Sequence, residues 1–189
     1  MSRRYGWRFR ALEAEIVRNS PALNITYTPR SFQVYANEFH QSRYAFVGAS
    51  IDGRRHEPFE PPEGSGSLVY ISLGTELNKS ERFFRRCVEA FGSTGMRVVM
   101  AIGDSVRPES LGPVPPAMMV RRRVPQLEVL SRASLFITHG GMNSVNEALF
   151  YGVPMLVVPV GNDQPTVARR VEELGLGEAL DIREATPDV

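Results

Sequence analysis

Residues 135–152 read LFITHGGMNSVNEALFYG. Leu135 to Thr138 is a short apolar, β-branched run that suits a buried strand. His139, Gly140 and Gly141 interrupt it. Asn143 to Tyr151 then has helical spacing and is stopped by Gly152. One short stretch therefore spells a buried strand, a glycine loop and a helix.

The same rhythm extends in both directions. Upstream, Leu68–Ser72 predicts a buried strand, and Gly74-Thr75 a tight loop. Asn78 with Glu81 three residues later has the form of a capping box opening a helix over Glu81–Phe91, closed by Gly92 and Gly95. Arg97–Ile102 predicts the next strand, Met118–Arg121 a weaker one, and Pro125 opens a helix over Gln126–Ser131. Downstream, Met155–Val158 predicts a strand, Pro165–Leu174 a helix stopped by Gly175, and a last strand starts near Glu178. The strands are wholly apolar rather than alternating. This implies an α/β fold, a Rossmann-like parallel sheet with helices on both faces. In such sheets ligands bind beyond the carboxyl ends of the strands.

Residues 1–48 read differently. They hold one possible helix, Trp7 to Val17, and short β-like pieces around Asn24–Thr28 and Ala45–Val47, with too few apolar residues to bury a core alone. Residues 49–67, ASIDGRRHEPFEPPEGSGS, have the composition of a linker. The domain of interest is therefore expected over residues 68–189.

The 189 residues carry 22 basic and 21 acidic side chains, a net charge of +1, which argues against a dedicated nucleic-acid binder. The single cysteine, Cys87, falls among apolar helix positions and reads as a buried side chain. Met1 to Arg8 is not followed by an apolar run, so no secretory signal is expected. The stretch Met155–Val160 is too short to span a bilayer. A cytoplasmic protein without membrane association is the expectation.

Three loops carry candidate chemistry. In Thr138–Ser144 the glycines let the backbone approach a ligand, and the following helix N-terminus suits a phosphate. Asn143 or Ser144 would cap that helix or touch the anion, and His139 can donate to it; a plain glycine turn is the alternative. Glu147, one turn further on the same helix face as Asn143, can accept from both hydroxyls of a ribose, although acids in a first turn also favour the helix dipole. Gly161-Asn162-Asp163-Gln164 can grip a hydroxyl-rich sugar, or Asp163 is simply the N-cap of the next helix, which is the simpler reading. Ser72-Leu73-Gly74-Thr75 can contact phosphate. No G-x-G-x-x-G follows any strand and no G-K-[ST] occurs, which argues against a nicotinamide dehydrogenase and a P-loop NTPase.

Taken together, VPQLEVL (124–130), FITHGGMNS (136–144), Glu147, GVP (152–154), Pro159 and Asp163-Gln164 resemble the donor signature of family 1 UDP-glycosyltransferases, two-domain GT-B enzymes. The flanking text is most similar to bacterial macrolide-type and related antibiotic or flavonoid glucosyltransferases. SLGT (72–75) and VARRVEELGLG (167–177) extend the likeness. TPRSFQ (28–33) and FVG (46–48) resemble the last strands of that family's N-terminal domain.

The resemblance implies that Val124 and Gln126 contact the uracil and ribose, and that Glu147 holds the ribose hydroxyls. It implies that His139, Gly141, Asn143, Ser144 and Thr75 bind the diphosphate, and that Asp163 and Gln164 hold the sugar. It further implies inverting transfer of a sugar, UDP-glucose being the first candidate donor, to a hydroxyl of a small lipophilic acceptor such as a macrolide or flavonoid. No metal or cofactor is expected.

The sequence departs from that pattern in three ways. Arg123, in the run Arg121-Arg122-Arg123, stands where the family has an aromatic residue that stacks on the base; a guanidinium plane can also stack. His40, His56 and His139 do not match the family's general base, which belongs to the N-terminal domain, so residues 1–48 are expected to be a remnant of that domain and no catalytic residue is assigned. The chain also ends at Val189, before the family's last helices, and is expected to be truncated at both ends. Two readings follow: a transferase fragment, or a UDP-sugar-binding module without activity. A nucleotide-sugar epimerase is a weaker third.

Overall fold

The computed structural model describes residues 23–51, 57–74 and 80–186. The possible helix Trp7–Val17, the Asn78 end of the capping box, Thr75 and His56 lie outside the described residues.

Two short strands come first, β1 (Asn24–Thr26) and β2 (Tyr44–Phe46), paired in parallel. The remaining strands form one parallel sheet: β3 (Leu68–Ser72), β4 (Arg97–Ala101), β5 (Met118–Arg121), β6 (Leu135–Thr138), β7 (Met155–Val157) and β8 (Gly177–Ala179). Its order is β5-β4-β3-β6-β7-β8, so β3 and β6 are neighbours although distant in sequence. The helices are α1 (Glu81–Phe91), α2 (Gln126–Leu130), α3 (Met142–Tyr151) and α4 (Gln164–Glu173). The expected α/β architecture is what forms.

The apolar strands are buried because both faces are covered. On one face α1 places Phe83, Phe84, Cys87 and Val88 against Val69, Ile71, Val98 and Met100. Burial pushes the Cys87 thiol up to about 12, consistent with a packing role. On the other face α2, α3 and α4 cover Leu68, Tyr70, Val99, Phe136 and Met155.

Helix ends differ slightly from expectation, for local reasons. Gly141 is extended (φ −65°, ψ 132°) and takes the N-cap position, so α3 begins at Met142 and neither Asn143 nor Ser144 caps it. Ser80 occupies the N-cap position of α1 without a side-chain bond. Asp163 precedes α4 at the N-cap position but also makes no side-chain cap bond. Gly152 (φ +66°) and Gly175 (φ +64°) close α3 and α4 in the left-handed region.

The early segment borrows its core from the sheet domain. Phe32 and Phe59 belong to the cluster under α2, α3 and α4. Arg170 of α4 donates to the carbonyls of Phe32 (2.9 Å) and Ser31 (2.8 Å), and Arg132 to that of Phe59 (2.7 Å). Asn146 of α3 donates to the Tyr27 carbonyl at 2.6 Å.

Candidate functional site

The site follows from the pairing of β3 with β6. Their last residues, Ser72 and Thr138, are register partners, so the loops that follow leave the sheet side by side. Both loops start the same way. The Gly74 N–H donates to Ser72 Oγ (3.4 Å) and the Gly140 N–H to Thr138 Oγ1 (3.3 Å). Each strand thus ends on a hydroxyl that folds its own glycine turn. This is where the strand order reverses, the place where doubly wound sheets bind ligands.

An open cleft of about 510 Å³ lies there. One part is lined by Ser72, Gly74, His139, Gly141, Asn143 and Ser144; the other by Gly103, Asp104, Arg122, Arg123, Val124 and Gln126. Six of the sequence-predicted residues therefore line it: Val124, Gln126, His139, Gly141, Asn143 and Ser144; Glu147 does not, and reaches it only through its bond from Gln126. The first N–H groups of α3 have no partners within the helix and face the same region, with the positive end of its dipole.

His139 is wedged between glycines. A methyl on Gly74 would lie 2.7 Å from its Cε1, and one on Gly141 2.5 Å from its Nε2. Either position would collide with the ring, which explains why both are glycine. Burial lowers the His139 pKa below its usual value, against the opposing influence of the Asp163 carboxylate and the Ser72 backbone. The ring is thus neutral at pH 7. Its Nδ1 is buried and meets no acceptor in hydrogen-bonding geometry.

Glu147 is buried and accepts from Gln126 Nε2 at 2.6 Å. The same nitrogen reaches Ser144 Oγ at 3.2 Å. Glu147 also borders a second, smaller cleft against Tyr27, Ala49, Ser50 and Asn146.

The third predicted loop is only partly in place. Asp163 and Gln164 do not line the main cleft. Asp163 is exposed and near enough to act on His139. Gln164 is buried, and its Oε1 accepts from the Val160 (2.7 Å) and Gly161 (3.0 Å) N–H groups. That oxygen folds the loop, so only the amide nitrogen is left for a ligand.

Two contributors were missed. Tyr70 lines the cleft and donates to Gln126 Oε1 at 3.0 Å; a hydroxyl inside an otherwise apolar strand, needing a buried partner, was the available signal. Asp104, after β4, pairs with Arg123 at 2.6 Å across the cleft's edge. Its signal was only its place at a strand's carboxyl end. His40 is exposed and bonded to Ser42 Oγ through Nδ1. Among the described residues no helix is long and apolar enough to cross a membrane, and no cluster of metal-binding side chains occurs.

Known proteins resemble this chain in sequence and fold. Residues 49–188 match the family described as UDP-glucoronosyl and UDP-glucosyl transferase. The NDP-glycosyltransferase YjiC of Bacillus licheniformis is 46% identical over 167 residues, 87% of this chain and 42% of that protein. The oleandomycin glycosyltransferase of Streptomyces antibioticus is 36% identical over 171 residues, covering 89% of this chain and 40% of its own length. Among solved structures, the glycosyltransferase of kitacinnamycin superposes with a TM-score of 0.84 at 37% identity, over 95% of this chain and 46% of that one. The calicheamicin glycosyltransferase CalG4 gives 0.81 at 35%, over 98% and 47%. The chain thus spans less than half the length of these relatives.

Proposed function

This chain belongs to the UDP-glucoronosyl and UDP-glucosyl transferase family, and from that premise we propose that it holds the nucleotide-sugar donor of a glycosyltransferase. UDP-glucose is the first candidate. The single observation that carries the reading is the convergence of His139, Gly141, Asn143 and Ser144 with the N-terminus of α3 on one cleft at the β3–β6 switch point.

The diphosphate lies against these groups, where N–H donors and the helix dipole stabilise negative charge. The uridine extends toward Val124 and Gln126, with its ribose hydroxyls on Glu147. Asp163 and the Gln164 amide nitrogen serve the sugar, and Thr75 is assigned to the diphosphate by the family resemblance alone. In transfer, the bond between the sugar's anomeric carbon and the phosphate oxygen breaks as an acceptor oxygen attacks from the opposite face. The electron pair leaves with UDP, so charge grows where the donors of α3 and His139 already point. The acceptor's proton goes to a base outside the cleft. We assign the acceptor, a small lipophilic alcohol, by likeness to relatives such as the oleandomycin glycosyltransferase alone, with macrolides and flavonoids as the first candidates. Residues 1–48, 49–67 and 68–189 are read as acceptor-domain remnant, connection and donor domain.

Calorimetric titration with UDP and UDP-glucose tests the reading, and heat with both is expected. No heat with either would sink it. A second reading, binding without transfer, is favoured by one observation: among the described histidines, His40 is exposed on the early segment and His139 is taken up by the phosphate loop. Incubating the chain with UDP-glucose and an acceptor panel separates the two, since a glycosylated product excludes the second.

A further inference from the structure

Tyr70 stacks on Phe136, with ring centroids 4.7 Å apart and planes at 6°. This holds its hydroxyl at the floor of the cleft. From there a chain of hydrogen bonds runs to α3: Tyr70 Oη to Gln126 Oε1 (3.0 Å), then Gln126 Nε2 to Ser144 Oγ (3.2 Å) and to Glu147 Oε2 (2.6 Å).

The polarity of this chain is fixed by chemistry. A carboxylate only accepts, so the nitrogen of Gln126 must face Glu147 and its oxygen must face Tyr70. Tyr70 must therefore donate. Burial pushes its phenol pKa well above the usual value, with the Ser72 side chain opposing and the Glu147 carboxylate adding, so the donor proton is always present. At the far end, Ser144 Oγ accepts through a lone pair. Its own proton is left for an acceptor in the cleft, which Ser144 lines.

We infer that Tyr70 is a positioning residue for the donor: its hydroxyl pins the oxygen end of the Gln126 amide, and through that amide Ser144 is held to present a proton to the diphosphate. The inference rests on the UDP-sugar reading above. Tyr70 touches no part of the sugar nucleotide. It acts two bonds away, by pinning the oxygen of an amide whose nitrogen Glu147 already holds toward α3.

Tyr70→Phe keeps the ring and its stack but removes the donor, leaving the Gln126 oxygen without its partner and the amide held at its nitrogen end alone. Its dissociation constant for UDP is expected to rise about five- to tenfold. In a Gln126→Leu background the same change is expected to cost less than about twofold, because the link it acts through is gone. A purely structural role would instead give equal losses in both backgrounds. Thermal unfolding of each variant checks that the fold survives. Should Tyr70→Phe not fold, Gln126→Glu places an acceptor where the donor stood, and it must weaken UDP by at least about fivefold. UDP binding within twofold of wild type in the variant that folds, or equal losses in both backgrounds, overturns the inference while leaving the donor reading intact. A wild-type chain that binds no UDP overturns both.

Discussion

Replacing Gly141 with alanine tests whether the His139 ring is a fixed wall of the anion site. The backbone presents no obstacle, since φ −65° and ψ 132° suit alanine. The obstacle is the imidazole. The new methyl would lie 2.5 Å from Nε2 and 2.9 Å from Cε1, where ordinary contact starts at 3.4 Å. The ring must retreat by about 1 Å, from 2.5 Å to the 3.4 Å of ordinary contact. It must leave its rotamer, at a cost of about 0.5–1.5 kcal/mol. Against this, replacing a glycine at a compatible conformation stabilises by about 0.4–1 kcal/mol through the unfolded chain. The two nearly cancel, so stability is expected to change by less than about 1 kcal/mol. Binding does not cancel. Losing one hydrogen bond to a charged phosphate costs about 1.5–3 kcal/mol, or roughly ten- to 150-fold in the dissociation constant for UDP. Calorimetry for UDP and urea unfolding on the same preparation give both numbers. Unchanged affinity in a folded variant would refute the role of His139. A stability loss beyond about 3 kcal/mol would refute the claim that the ring can yield.

Glu147→Ala is expected to weaken UDP by about ten- to a hundredfold and to abolish the preference for UDP over 2′-deoxy-UDP; an equal loss for both nucleotides would count against a ribose role. Because burial lowers the His139 pKa, the unfolded chain binds a proton there more readily than the folded one. The unliganded wild type should therefore lose stability relative to His139→Gln as the pH falls below about 6.5, with the gap between them constant above about pH 7.5; a gap that stays constant from pH 8 to 5 would refute this. Arg170→Ala removes two charged donors from the carbonyls of Ser31 and Phe32. It should cost about 1–3 kcal/mol and speed proteolysis within residues 23–50; an unchanged cleavage rate would show that the segment is held elsewhere.

The fold was legible because the strands are wholly apolar: Leu68 to Ile71 and Val98 to Met100 have no solvent face to advertise, and only a sheet covered on both sides explains such runs. The loop at His139 was legible because glycine, histidine and a helix start are contiguous in sequence. What was not legible depends on pairings that no local pattern encodes. Arg170 and Phe32 are separated by 138 positions, so the sequence could show that the early segment lacks a core but not whose core it shares. Gln164 illustrates the same limit. A glutamine beside an aspartate reads as a sugar contact, yet its oxygen is spent on the Val160 and Gly161 amides. Tyr70 was hidden by its neighbours, since in an apolar strand it reads as one more buried ring.

The two ends of the cleft are held by forces of different size, and this bears on where selectivity can vary. The end at His139 is fixed by backbone. Ser72 and Thr138 are register partners in the sheet, each hydroxyl folds its own glycine turn, and His139 is clamped between the two turns. Shifting any one of these shifts the others. The opposite end rests on exposed side chains: Arg123 and Asp104 are 77% and 57% accessible and joined by a single ion pair. Such a pair is worth at most about 1 kcal/mol in water. Covering the guanidinium plane with a nucleobase yields a cation–π contact of comparable or greater worth, so a stacking ligand can reorganise this end without disturbing the sheet. On the proposed reading, the diphosphate meets a part of the protein that cannot adapt, and the base a part that can.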